Sequence, residues 1–95
     1  MATVTWTNST PGPRQRPLAK TVIGMRVVGA PSFDPVGTVA IPGTTFAIDP
    51  TLAPGDYEFN ATEYDTAGVA STNNPTCKYA VGFDPPSGVS NLSAA

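Results

Sequence analysis

Leu52-Ala53-Pro54-Gly55-Asp56-Tyr57-Glu58-Phe59-Asn60-Ala61-Thr62-Glu63-Tyr64-Asp65-Thr66-Ala67-Gly68-Val69-Ala70-Ser71 is the stretch that decides the fold. Its middle alternates. Tyr57, Phe59 and Ala61 fall on one side of an extended chain and Glu58, Asn60 and Thr62 on the other, the period of a strand with one buried face. Pro50, Pro54 and Gly55 break the chain before it, and Asp65-Thr66-Ala67-Gly68 turns the chain after it. Proline and glycine fix or free φ there, and an Asp side chain can bond backbone two residues on.

Working outward, the same period recurs in short runs. Val4 and Trp6 point away from Thr3, Thr5 and Thr7, and that run stops at Asn8-Ser9-Thr10-Pro11-Gly12. Thr21 to Gly29 places Ile23, Met25 and Val27 on one face, with Val22, Arg26 and Val28 on or near the other; Pro31 ends it. Val36 to Ile41 reads as a short strand near an edge. Pro42-Gly43 then turns the chain into Thr44 to Asp49, where Thr45, Ala47 and Asp49 alternate with Phe46 and Ile48. After Asn73-Asn74-Pro75, one face of a sixth run carries Cys77, Tyr79, Val81 and Phe83. No window of helical length keeps an i, i+3, i+4 apolar pattern free of proline and glycine, so the chain reads as all-β.

Composition sets the same bounds. The 95 residues include 9 glycines and 11 prolines; 40% are hydrophobic and only 13% charged. A chain of this size supports one core and buries about 60 to 65% of its unfolded surface. The basic residues Arg14, Arg16, Lys20, Arg26 and Lys78 are outnumbered by seven acidic ones, for a formal charge of −2. Nucleic acid is not expected as a partner, because phosphate binding needs a basic surface. Arg14, Arg16 and Lys20 form the only local basic cluster and are a candidate contact for an acidic neighbour. No run of about 18 apolar residues is present, so no membrane partner is expected, and Met1 to Asn8 has no signal-peptide pattern.

Chemistry is sparse. The chain has no histidine, which removes the usual general base and the commonest transition-metal ligand, and Cys77 alone cannot build a thiolate zinc site. Cys77 reads as a small core hydrophobe. The acidic residues sit one per turn or strand end; Asp49, Asp56 and Asp65 are the candidates for loop calcium, but without a calcium-loop spacing. The expectation is a non-enzyme with no cofactor and no metal. Asn8, Asn60 and Asn91 lie in Asn-x-Ser/Thr sequons, a pattern that arises by chance in so Ser/Thr-rich a chain.

The 52–71 stretch resembles the fibronectin type III pattern: a leucine (Leu52), a Pro-Gly turn, a strand tyrosine (Tyr57), alternating apolar positions, and a closing Asp65-x-x-Gly68-x-x-Ser71 turn. Val4-Thr5-Trp6-Thr7 resembles the family's tryptophan strand, and Ile23 to Val27 the strand after it, with Met25 where tyrosine is usual. The resemblance implies a single immunoglobulin-like antiparallel β-sandwich of about seven strands. Its core would contain Trp6, Ile23, Met25, Val27, Leu52, Tyr57 and Phe59, and the Tyr57 hydroxyl would bond backbone near Leu52. Glu63 departs from the pattern, which has a small apolar residue there, and is expected at an exposed strand end.

The order of elements also departs from the family. A strand normally precedes the tryptophan strand, and here only Met1 to Thr3 does. At the other end, residues 85–95 look like a linker and the first strand of a following module. The expected organisation is a sandwich core over 1–84 and a C-terminal linker and edge strand over 85–95. That strand would pair in cis or with a neighbour, with Val89 and Leu92 as its apolar contacts.

Two functional classes follow. One is a structural protein of a larger assembly, most concretely a bacteriophage virion component such as a capsid decoration or tail-associated protein, its partners being copies of itself or a capsid or tail protein. The other is an extracellular carbohydrate- or protein-binding module of a secreted multidomain protein, for which a surface glycan is the candidate partner.

Overall fold

The longest ladder in the molecule joins β2 (Leu18–Val27) to β5 (Gly55–Asp65), antiparallel, pairing Ile23 with Ala61, Met25 with Phe59 and Val27 with Tyr57. Both strands are rich in the β-branched and aromatic residues that fit a pleated, half-buried surface. The computed structural model describes residues 2–91, 93 and 94. Around the central pair, β3 (Asp34–Ala40) adds to β2 and β6 (Thr76–Val81) adds to β5, giving a four-stranded sheet of order β3-β2-β5-β6. A second sheet holds β1 (Thr3–Thr5) and β4 (Thr45–Ala47), with Val4 opposite Phe46. All pairings are antiparallel, and the described residues contain no helix.

The core lies between the sheets. Val4 and Ile48 from the small sheet meet Ile23, Tyr57 and Phe59 from the large one, and Ala2, Trp6, Met25, Phe46, Leu52, Ala61, Tyr79 and Val81 pack around them, half-buried. Phe59 and Tyr79 meet edge-on, ring centroids 6.5 Å apart, the arrangement favoured by ring quadrupoles. The Tyr57 hydroxyl donates to the Ala53 carbonyl at 2.6 Å, so its one polar atom is satisfied as the ring enters the core. Gly37 lets β3 approach β4: a Cβ there would run into the Phe46 ring.

Direction follows from the pairings. The β1–β2 connection, the 41–43 turn and the β5–β6 loop lie at one end of the sheets. Ala2, the β2–β3 loop, the 49–54 loop that crosses between sheets, and the exit from β6 lie at the other. The first is called the loop end below and the second the exit end.

Several expectations need correction. Val27 is 59% exposed and outside the core. It shares a face with Met25 but sits at the last step of β2, beyond the reach of a covering sheet whose strands are three residues long. Cys77 is likewise exposed, although it stands opposite buried Phe59, because β6 is an edge strand and the two-stranded sheet does not extend over it. Phe83 lies past the end of β6 and is 89% exposed. The described residues form six strands rather than about seven. From 82 onward every described residue is exposed and none joins a sheet of its own chain. Pro85-Pro86 supplies no backbone donors and fixes φ, which carries the chain outward from the exit end. Leu92 lies outside the described residues.

Face and burial thus separate, and unfolding energetics should show it. Phe59→Ala is expected to cost about 3 to 5 kcal/mol in denaturant unfolding, as for a fully buried aromatic. Val27→Ala should stay within about 0.5 kcal/mol, as for a surface change. Equal losses at both positions would contradict the burial pattern.

Candidate functional site

At the loop end the chain builds a polar clamp. Asp65 closes β5: its Oδ1 accepts from the Ala67 and Val69 amides, both at 2.9 Å, and Gly68, at φ 81°, donates to the Asp65 carbonyl. The left-handed turn that Gly68 permits is what brings Ser71 back alongside β5. The Ser71 amide donates to the Glu63 carbonyl at 2.8 Å, while the Ser71 hydroxyl accepts from the Glu63 amide and donates to Asn74 Oδ1. Glu63 in turn binds across the sandwich: its carboxylate accepts from the Ser9 amide at 2.9 Å and from the Ser9 hydroxyl at 2.7 Å. It is half-buried and tied to the β1–β2 connection, not an exposed strand end.

Beside this clamp lie two adjoining clefts, of about 250 Å³ and about 300 Å³, that share Ser9, Gln15, Glu63, Ser71 and Thr72. The outer one is bordered by Arg14, Arg16 and Asp65. The inner one opens between the sheets, with Trp6 and Thr7 on one wall, Ala61 and Pro75 on the other, and Thr21 lining it. Thr21 has no exposed surface and its Oγ1 has no hydrogen-bond partner among the described residues. A buried hydroxyl left unpaired costs about 1 to 3 kcal/mol. Trp6 is held at the rim: its indole N–H donates to Asn8 Oδ1 at 3.0 Å, and the Asn8 amide donates to the Pro42 and Gly43 carbonyls.

The cleft continues into an open strand edge. The Ala2 carbonyl and the Trp6 amide face β4, accepting from Ile48 and donating to Thr44, and Val4 keeps the same phase. By the alternation of an antiparallel ladder, the backbone groups of Thr3 and Thr5 then point away from β4, where the sheet has no further strand among the described residues. An arrangement of this kind offers an extended chain backbone partners along β1 and a cleft at one end.

The residues singled out from sequence divide in two. Arg14 and Arg16 border the outer cleft; Arg16 reaches Asp65 at 3.5 Å, a solvent-facing contact that contributes about 0 to 1 kcal/mol. Lys20 projects over the Tyr64 ring, 5.3 Å from its centroid. Val89 is 86% exposed, on the segment leaving the opposite end, so the structure does not bring it to the basic cluster within one chain. Asp49 and Asp65 serve turns, Asp49 accepting from the Thr51 hydroxyl and amide. Among the described residues no three Cys, Asp or Glu side chains gather in a metal-holding group. Asn60 is half-buried against Gly24, where a Cβ would collide with its side chain. Nothing in the sequence marks Glu63, Ser9 and Thr21 as a group, since 54 residues separate Ser9 from Glu63. Only Thr21 leaves a trace, a hydroxyl in phase with the apolar Ile23 and Met25. No protein-family model, curated protein or solved structure matches the chain.

Thr21→Val keeps the shape and removes the unpaired hydroxyl, so it should stabilise the dilute protein by about 1 to 2 kcal/mol in denaturant unfolding. A comparable loss would show that the hydroxyl is already satisfied. The Val69 amide, opposed by lost hydration and helped by the Ala67 amide and the Arg16 charge, holds the Asp65 carboxyl below its ordinary value. A carboxyl depressed in the folded state stabilises above its unfolded pKa of about 3.9, and that contribution is lost as pH falls through the lower folded value. The Val69 amide resonance should therefore titrate with a midpoint below that of Asp in an unfolded peptide; a midpoint at or above it would contradict the turn geometry.

Proposed function

We propose that the chain is a non-enzymatic structural module of a larger assembly, a fibronectin type III-like domain carried by a bacteriophage particle as a capsid decoration or tail-associated subunit. The observation that carries this reading is the outer edge of β1, which pairs with no strand among the described residues. An open strand edge over an apolar core is a template for another chain, and small sheet proteins cover such edges unless a partner does so. The segment from 82 onward is the complementary feature: its described residues are exposed and join no sheet, and the sequence carries no charged side chain from Pro85 on. The reading also draws on a sequence with no histidine and a single cysteine, which gives a surface-presenting role little competition from catalysis.

The strand order accords with a fibronectin type III-like module lacking its first strand, with β1 in the place of the tryptophan strand and β6 at the far edge. Mass spectrometry of phage particles purified from the source culture tests the assignment. Peptides of this chain should appear in the particles at a fixed copy number relative to the major shell or tail protein. Peptides confined to the soluble fraction would remove the virion role.

A further inference from the structure

We infer that the partner at the open β1 edge is a second copy of this chain, whose 82–95 segment adds as an antiparallel strand and links copies head to tail. The inference rests on the assembly reading above and names its partner. An edge, a cleft, a direction and a charge support it.

The edge and cleft form one track. An antiparallel strand beside β1 would bond to Thr3 and Thr5, entering at the loop end where the inner cleft lies between Trp6 and Pro75, and running toward the exit end. Antiparallel addition is the more frequent pairing by roughly two- to three-fold.

Direction chooses between the chain's own tail and another's. The tail leaves at the exit end, the wrong end for an antiparallel entry beside its own β1. To reach the loop end in cis, Gly82 to Gly88 would have to turn back and retrace the length of β6 before pairing began, with Pro85-Pro86 in the reversing stretch. A copy stacked end to end needs no reversal, because the tail continues outward from one molecule into the loop end of the next. The longest dimension of the chain, 81 Å against 27 and 16 Å across, fits a segment that projects rather than folds back.

Charge and polarity agree with that path. Asp84 is the only charged side chain from Gly82 to Ala95, and head-to-tail entry brings it to the acceptor's loop end, where Arg14 and Arg16 border the outer cleft. Arg14 makes no ion pair among the described residues. Beyond Asp84 no charged side chain must be desolvated against the sheet edge, and exposed Val89 gains cover. A contact between two different surfaces of the same chain does not close on itself at two copies and so propagates.

Sedimentation velocity on the full-length chain over a concentration series tests the contact, with Thr5→Pro to block the acceptor edge and Val89→Pro to block the donor strand. The Thr5 amide points outward, where an edge strand tolerates proline, and Val89 lies outside the sheets. Wild type should give a ladder of oligomers that grows with concentration. Each variant alone should stay monomeric, and a 1:1 mixture should stop at a heterodimer. Emission of Trp6, the only tryptophan, should shift to shorter wavelength as the wild-type ladder grows and on addition of Thr5→Pro to Val89→Pro, but not in Val89→Pro alone. Wild type that stays monomeric, a single closed dimer, or Val89→Pro that still forms the ladder would each overturn the head-to-tail contact. Self-association is read on purified protein and particle content on phage, so either can fail without the other failing.

Discussion

Two sheets of unequal size share one core, and most of the structure's particular features follow from that mismatch. The β2–β5 ladder is the longest in the molecule and carries Ile23, Tyr57 and Phe59 into the interior. Only β1 and β4, three residues each, lie opposite. Where they cover the ladder, side chains are buried; where they do not, residues in correct alternation are left in water. The exposure of Val27 and Cys77 and the cleft between Trp6 and Pro75 go with a covering sheet of two short strands over a sheet of four, among the described residues.

The loop end compensates for part of that deficit with hydrogen bonds. Glu63 holds Ser9, Ser71 holds Glu63, and Asp65 organises the turn that brings Ser71 into place. These contacts tie the β1–β2 connection to β5 without filling the space between them. Thr21 stands behind that space, its hydroxyl without a partner among the described residues. At the opposite end of the large sheet, Arg26 donates to Glu58 at 2.7 Å and to the Ala30 carbonyl at 3.0 Å while stacking over Phe33. Those contacts lie on the face of the large sheet away from the core, and between the sheets toward the exit end Met25, Phe46, Asp49 and Leu52 line a further cleft of about 320 Å³.

Alternation and punctuation make much of this legible. Tyr57 and Phe59 between Pro54-Gly55 and Asp65-to-Gly68 define β5, and the 3–7, 21–29, 36–41, 44–49 and 77–83 runs overlap the remaining strands, the second and last running past the strand ends at Val27 and Val81. Period-2 alternation reports which face a residue occupies; it does not report whether anything lies over that face. That is why Val27 and Cys77 read as interior and are not. The start of β2 at Leu18 is hidden because Leu18-Ala19-Lys20 has no alternation and its pairing slips by one residue there. Glu63 reads as an exposed strand end because its partner Ser9 is distant in sequence. The direction that separates cis from trans pairing of the C-terminal segment is not in the alternation either, because it needs the ends of the strands.

Everything said of assembly depends on the outer edge of β1 having no partner within the isolated chain. Residue-resolved amide hydrogen exchange on the dilute, monomeric protein tests this most directly. Val4 and Trp6, whose amides face β4, should exchange slowly, and Thr3 and Thr5, between and beside them on the same short strand, should exchange at close to unprotected rates. Thr3 and Thr5 amides as slow as those of Val4 and Trp6 would mean that the chain already covers its own edge, and the assembly built on that edge would have no free acceptor.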